Sequence, residues 1–271
     1  MRSARPALTE VLDDAVEIVP LVALPWLGLL WLTAIPLRFL QAHIIVRFAE
    51  LGPEASRYGH HLAELATWAT LLLVVSLWGR AVFVRAVHLR LRTHKAPGAA
   101  ALRVTAPSLA CYVYAALAIE ASCYATLFTL VSLPVAVMLA GLAAATTPLI
   151  TRPSLIAPWR ELLATMRGGL VLMGLLLVFA AAWLLASANL YFAFRLGLWI
   201  AGAVPGLDLS RWDALLSFGN FRFVLVLLTG GGLAVEPFWL AALTLYVHKL
   251  RARASGDDLR LWFDRLRSEA P

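Results

Sequence analysis

"TGGGLAVEPFWLAALTLYVHK", residues Thr229 to Lys249, is the stretch that decides the fold class, because it is apolar enough to cross a bilayer and yet contains an acid followed by a proline. A membrane-spanning helix needs about 20 mainly apolar residues. Glu236 is costly in hydrocarbon, and Pro237 removes one backbone hydrogen bond of a helix. The stretch therefore predicts a transmembrane helix whose polar, kinked centre faces other helices.

The composition of the whole chain agrees with this prediction. Of its 271 residues, 61% are hydrophobic and 14% are charged, whereas soluble domains contain about 25% charged residues. We therefore expect an all-α, polytopic membrane protein. The first apolar run is longer than the apolar core of a signal peptide and follows several acids, so we expect an uncleaved signal anchor.

Six apolar runs are long enough to span a bilayer. They lie near residues 18–42, 63–86, 104–128, 131–150, 169–194 and 223–248. The third and fourth runs are separated only near residues 131–134. The sequence therefore leaves open whether residues 104–150 form one span or two. The sequence predicts a transmembrane domain over residues 1–254 and an amphipathic tail helix over residues 255–271.

The distribution of basic residues predicts the orientation. With the N-terminus inside, 17 Lys and Arg residues fall on the inner side and 6 on the outer side, which follows the positive-inside rule. Both termini are therefore expected in the cytoplasm. The chain has 21 Arg and only 2 Lys, which is typical of a GC-rich bacterial genome, so the inner membrane of a bacterium is the expected location.

Three short segments have one apolar and one charged side when they are drawn as helices. They are residues 5–19, 157–169 and 255–267. Helices of this type lie along a membrane surface or dock on a partner. In the last segment, Trp262 and Phe263 are the predicted docking side chains.

The intramembrane acid has two interpretations. In the structural one, Glu236 pairs with Arg80 inside the bundle, Pro237 kinks the helix, and glycines allow close packing of a neighbouring helix. The glycines are Gly230, Gly231 and Gly232. In the functional one, the kinked helix and its acid form a proton or cation site, as broken helices do in transporters. We favour the structural interpretation and retain the other as an alternative.

Other polar residues give weaker signals. Glu120 is expected to be a protonated carboxyl bonded to a neighbouring helix, with an ion relay as the alternative. His60 and Glu64 stand one helical turn apart, which would suit a divalent metal, but a solvated polar helix start is the favoured interpretation. The sequence contains no HExxH, GxSxG or P-loop motif. We therefore expect no catalytic residues, no metal and no cofactor.

Basic residues at the inner ends of the second and sixth spans predict contact with anionic headgroups or with an acidic partner. They are Arg85, Arg90, Arg92, Lys95, Arg251 and Arg253. No soluble domain accompanies them, and their spacing between apolar runs argues against binding of nucleic acid.

The C-terminal sequence "AALTLYVHKLRARASGDDLRLWF" resembles bacterial multi-pass proteins related to the membrane domain of glycerophosphodiester phosphodiesterases and the YciC-like family. The matching residues are Ala241, Ala242, Tyr246, Arg251, Arg253, Gly256, Asp257 and Leu259. His248 and Lys249 depart from the pattern. The resemblance covers about 35 residues and implies an accessory protein of an envelope system, without a phosphodiesterase domain and without assignable active-site residues.

These observations favour a non-enzymatic membrane scaffold or accessory subunit with membrane lipids and a membrane protein as partners. A small transporter or channel that uses Glu236 and Glu120 is the first alternative. A lipid-handling protein whose surface helices open a lateral groove is the second.

Overall fold

The computed structural model describes residues 7–22, 24–51, 59–127, 146–150, 153–166, 169–204 and 209–255. These residues contain helices and no β-strand. The helices are α1 (Leu8–Leu21), α2 (Leu24–Leu51), α3 (Gly59–Thr93), α4 (Ala106–Leu127), α5 (Thr147–Ile150), α6 (Ala157–Met166), α7 (Gly169–Gly202), α8 (Ser210–Leu215) and α9 (Phe221–Ser255), with a 3-10 turn at Ala99–Leu102. The all-α prediction is confirmed for this part of the chain.

Four of the described helices are long and apolar enough to cross a membrane. The qualifying segments are Leu24–Arg47, Gly59–Thr93, Leu170–Gly202 and Phe221–Arg253. In α4 the apolar segment Ala106–Ala118 is shorter. Most of the span predicted at residues 131–150 and nearly all of the tail helix predicted at residues 255–271 lie outside the described residues. The four helices are compatible with a membrane protein.

The first predicted span differs in its start. The sequence places it near residues 18–42, but α1 continues to Leu21 and α2 begins at Leu24. The amide of Val22 donates to the carbonyl oxygens of Ile18 and Val19, at 3.0 and 3.2 Å, which closes the last turn of α1. Pro25 then lies in the first turn of α2, where its missing N–H has no helical partner to lose. The apolar run is thus divided between the end of the amphipathic helix α1 and the long helix α2.

The chain divides into two compact units. The first contains residues Met1–Trp26, Arg80–Leu177 and Phe238–Pro271. Its core includes the buried side of α1, with Val11, Ala15 and Ile18 at helical spacing. The helix packs closely on α7, because a Cβ atom on Gly174 would lie 2.6 Å from a methyl carbon of Leu8.

The second unit contains residues Leu27–Gly79 and Val178–Pro237. Its helices approach each other at glycines. A Cβ atom on Gly79 would collide with the Thr33 side chain, and a Cβ atom on Gly231 would lie 2.9 Å from both the Ser187 nitrogen and the Trp183 oxygen. Backbone of α9 and backbone of α7 therefore meet at Gly231, which is the packing that small residues allow between membrane helices.

Candidate functional site

The carboxyl end of α9 binds the N-terminal helix α1 through ion pairs. Lys249 Nζ lies 2.8 Å from Glu10 Oε1 and 2.6 Å from Asp14 Oδ2. One guanidinium nitrogen of Arg253 lies 2.9 Å from Glu10 Oε2. The two acids are four residues apart on α1, and the two cations are four residues apart on α9, so each pair lies on one helix face. Two complementary charged faces meet here.

Lys249 is the centre of this contact. Its side chain is 16% exposed, and its ammonium also donates to the backbone oxygen of Glu10 at 3.2 Å. An ammonium has three donors, and one oxygen of Asp14 and two of Glu10 accept them. The partly buried charge is therefore fully hydrogen-bonded, which is the condition under which such a charge is tolerated.

The electrostatics of Glu10 reflect the same contact. Partial burial of this carboxyl acts to raise its pKa, but hydrogen bonds from Lys249 and from the Ala7 amide, with the charges of Lys249 and Arg253, outweigh it, so the pKa of Glu10 is lowered from 4.5. The ionised carboxylate is thus the form that the folded protein favours.

A second ion pair joins α9 to α6. The guanidinium of Arg251 bonds both carboxylate oxygens of Glu161, and the Thr147 hydroxyl of α5 donates to Glu161 Oε2 at 2.6 Å. On the other side of α6, the Trp159 ring packs edge-on against Tyr114 of α4, with 6.4 Å between the ring centres. About one turn of α9, from Lys249 to Arg253, therefore binds both amphipathic helices, α1 and α6.

Two histidines lie beside these ion pairs. The rings of His88 in α3 and His248 in α9 meet edge to face, with 5.9 Å between their centres. His88 Nδ1 is buried and accepts or donates no hydrogen bond within the described residues. The electrostatic neighbours of His88 include Arg85, Arg92 and Arg251. Among the residues that the structure describes, no Asp, Glu or Cys joins these two histidines in a group that could hold a metal ion.

In the second unit, a tryptophan of α2 compensates for the proline of α9. Because Pro237 has no N–H, the carbonyl of Leu233 loses its helical donor. The Trp31 indole donates to that carbonyl at 2.9 Å. Glu236, which precedes the proline, is 8% exposed. Residues Thr229 to Lys249 therefore lie in one continuous helix, and the Trp31 indole replaces the hydrogen bond that Pro237 cannot donate.

The structure places the predicted packing residues against α7. The Gly231 backbone touches α7, a Cβ atom on Gly230 would lie 2.8 Å from a methyl carbon of Leu190, and one on Gly232 would lie 3.5 Å from Trp183 Nε1. Arg80 belongs to the first unit and Glu236 to the second, and their pairing stays a prediction.

The predicted basic residues fall into three groups. Arg251 and Arg253 are ion-paired with acids of α6 and α1. Arg85 donates to the Ala100 carbonyl and Arg90 to the His94 carbonyl. Arg92 and Lys95 are exposed. Binding of headgroups or of a partner by these residues stays a prediction.

The structure does not describe the side chains of several residues that the sequence singled out. Glu120 lies on α4, but its side chain is outside the described part, and Trp262 and Phe263 lie beyond residue 255. His61 lies 3.9 Å from Glu64 at the start of α3. Within the described residues, no group of three His, Cys, Asp or Glu residues could hold a metal ion.

Sequence reasoning missed the roles of Glu10, Asp14, Glu161 and Trp31. The two acids of α1 and the two cations of α9 share a four-residue spacing that could have suggested matching faces. The Pro237 position also identifies the Leu233 carbonyl as the one that needs a donor. Nothing in the sequence, however, shows that the donor is Trp31, which is 202 residues away.

Comparisons with protein-family models, with curated proteins and with solved structures give no match to this chain. The resemblance of its C-terminal sequence to the glycerophosphodiester phosphodiesterase membrane domain and the YciC-like family stays a prediction.

Proposed function

We propose that this chain is an integral protein of the bacterial inner membrane, with six spans and both termini in the cytoplasm. Four described helices have the required length and apolarity, and α4 and the apolar sequence at residues 131–150 supply the remaining two. The excess of basic residues on one side of the spans supports the orientation. In this orientation, the ion pairs of α1, α6 and α9 lie at the cytoplasmic surface.

Its proposed role is that of a non-enzymatic scaffold or accessory subunit of an envelope system. The observation that carries this proposal is the double attachment of amphipathic helices to one span, through Lys249 and Arg253 to α1 and through Arg251 to α6. The charged groups at this surface bind α1 and α6 to α9, and the two helices together form a surface on which a partner protein can dock. Asp13, Val16 and Glu17 lie on the exposed side of α1, where they are available to a partner.

The experiment is purification of the tagged chain from its native membrane in mild detergent, followed by mass spectrometry of associated proteins. The wild-type chain should retain a membrane protein at fixed stoichiometry. A chain truncated after Ser255 should insert normally but lose that partner, because the truncation removes Trp262 and Phe263. Unchanged association after truncation would refute the docking role of the tail.

Glu236 gives a specific reason to keep the transporter as a second candidate. Its side chain is almost fully buried, and it precedes Pro237, which removes one backbone hydrogen bond from α9. If the chain transports ions through Glu236, with Glu120 as a second acid, Glu236→Gln should abolish ion flux in proteoliposomes. A cysteine at Val235, in a chain lacking Cys111 and Cys123, would then react with a membrane-impermeant thiol reagent. Complete protection of that cysteine would exclude a water-filled path beside Glu236.

Lipid handling is a third candidate, because helices such as α1 and α6 could border a groove that is open to the bilayer. A bound lipid in the purified protein, together with lipid transfer between vesicles, would favour it over the scaffold.

A further inference from the structure

The segment between α3 and α4, residues 94–105, is fixed at three points. Arg90 donates to the His94 carbonyl at 2.6 Å, Arg85 donates to the Ala100 carbonyl at 3.3 Å, and the Trp26 indole donates to the Pro97 carbonyl at 3.0 Å. His94 adopts a positive φ of 54°, which turns the chain directly after α3. Side chains from α2 and α3 thus donate hydrogen bonds to three backbone carbonyls of this connection.

These contacts distinguish cations that hold structure from cations that face outward. Arg85 and Arg90 bond carbonyl oxygens of the connection, and Arg251 and Arg253 bond acids. Three further cations, Arg92, Lys95 and Arg103, are exposed and have no ion pair within the described part of the chain.

The local sequence cannot neutralise these three cations. No Asp or Glu occurs between residues 65 and 119, so their own segment provides no counter-charge. Next to Arg103, the apolar side chain of Leu102 is 45% exposed. A fixed connection that presents cations together with an exposed leucine has the character of a membrane-surface segment, where cations meet headgroups and apolar side chains reach the acyl boundary.

We propose that the connection, with Arg92, Lys95 and Arg103, binds the phosphate groups of anionic phospholipids in the cytoplasmic leaflet. This inference rests on the proposed orientation of the chain in the membrane, and it restricts headgroup binding to α3 and the segment that follows it. The basic end of α9 is excluded, because its charges are satisfied by α1 and α6. Because the backbone of the connection is hydrogen-bonded before a lipid binds, less conformational entropy is lost on binding.

Lipid titration of the full-length protein in neutral detergent, followed by native mass spectrometry, tests the proposal. Phosphatidylglycerol is the anionic probe and phosphatidylcholine with the same acyl chains is the neutral probe. Wild-type protein should retain phosphatidylglycerol in preference. Each of Arg92→Gln, Lys95→Gln and Arg103→Gln should lower its affinity by about fivefold, and the triple variant should lose the preference.

Arg211→Gln is the matched control, because Arg211 is also an exposed cation but lies on α8. It should leave the preference for phosphatidylglycerol unchanged. The triple variant must unfold at the wild-type temperature, so that lost binding is not lost folding. Equal retention of both lipids by the wild-type chain, or an unchanged preference in the folded triple variant, overturns the proposal. Displacement of the lipid by millimolar inorganic phosphate would also overturn it, since it would identify a site for the free ion.

A separate measurement distinguishes this inference from the orientation on which it rests. A cysteine at Gly98, where a side chain meets no atom within 4 Å, is introduced in a chain lacking Cys111 and Cys123. It should react with an impermeant reagent only in inside-out vesicles. Reaction only in right-side-out vesicles would refute the proposed orientation, whereas the expected labelling without lipid preference would refute the headgroup site alone.

Discussion

The indole nitrogen of Trp31 lies 2.9 Å from the carbonyl oxygen of Leu233, the one carbonyl of α9 that Pro237 deprives of its helical donor. In an apolar surrounding, an unsatisfied carbonyl costs several kcal/mol. A proline in the middle of this long helix is therefore compatible with a continuous helix because α2 supplies the missing donor. The acid beside the proline is buried in the same region.

Replacing Trp31 with Phe should destabilise the protein by about 1–2 kcal/mol, because the Leu233 carbonyl is then left without a donor. Pro237→Ala restores a backbone N–H at the position that donates to this carbonyl. In that background, the cost of Trp31→Phe should be markedly smaller. Unfolding in detergent of the wild type, both single variants and the double variant measures the difference. An equal cost in the two backgrounds would show that the indole packs without replacing the lost bond.

Gly231→Ala should destabilise the chain by about 1–3 kcal/mol, because the added methyl meets backbone atoms of α7 that cannot rotate away. Gly232→Ala is the matched control. Its methyl would lie 3.5 Å from the nearest atom, Trp183 Nε1, so the usual advantage of alanine in a helix should make it neutral or stabilising. Thermal unfolding of the two variants measures the difference in stability. Equal changes in unfolding temperature would contradict the close approach of α9 and α7.

The contact between α1 and α9 should respond to exchange of charge. Glu10→Lys should destabilise by about 1–2 kcal/mol, more than an exposed pair, because the Lys249 side chain is mostly shielded. Lys249 also contacts Asp14, and Arg253 also contacts Glu10, so the exchange must include all four charges. Asp14→Lys, Lys249→Glu and Arg253→Glu added to Glu10→Lys should recover a large part of that loss, because each acid then faces a cation again. Protease cleavage within α1 gives a local measurement of its detachment. If the fourfold variant is cleaved as fast as Glu10→Lys, the ion pairs do not hold α1 on α9.

The same contact should weaken in acid. The folded state lowers the pKa of Glu10 below 4.5, so folding favours its ionised form. The resulting stability is fully present above the pKa of the unfolded state and is lost as the pH falls through the lower, folded pKa. The difference in unfolding temperature between the wild type and Glu10→Gln should thus be constant from pH 8 to about pH 5 and shrink below about pH 4.5. If the difference in unfolding temperature instead grows in acid, the folded state raises the pKa of Glu10 rather than lowering it.

The helical fold could be predicted from the sequence because apolar runs of this length leave few alternatives, and the glycines at 230–232 indicated a packing face. The sequence places the start of the first span near residue 18, whereas α1 continues to Leu21 and α2 begins at Leu24, because residues 18–21 are apolar in either helix. Long-range partners could not be predicted. Glu10 and Lys249 are 239 residues apart, and the four-residue spacing of the charges on each helix does not by itself identify the partner helix.

The charge exchange also provides the most direct test of the scaffold. Three tagged chains are purified from native membranes: the wild type, Glu10→Lys, and the fourfold variant Glu10→Lys/Asp14→Lys/Lys249→Glu/Arg253→Glu. Associated proteins are quantified by mass spectrometry. We expect a stoichiometric partner that is lost with Glu10→Lys and regained in the fourfold variant, because the opposite charges of α1 and α9 then meet again. A wild-type chain that purifies alone and conducts ions until Glu236 is replaced by Gln would contradict the scaffold and establish the transporter.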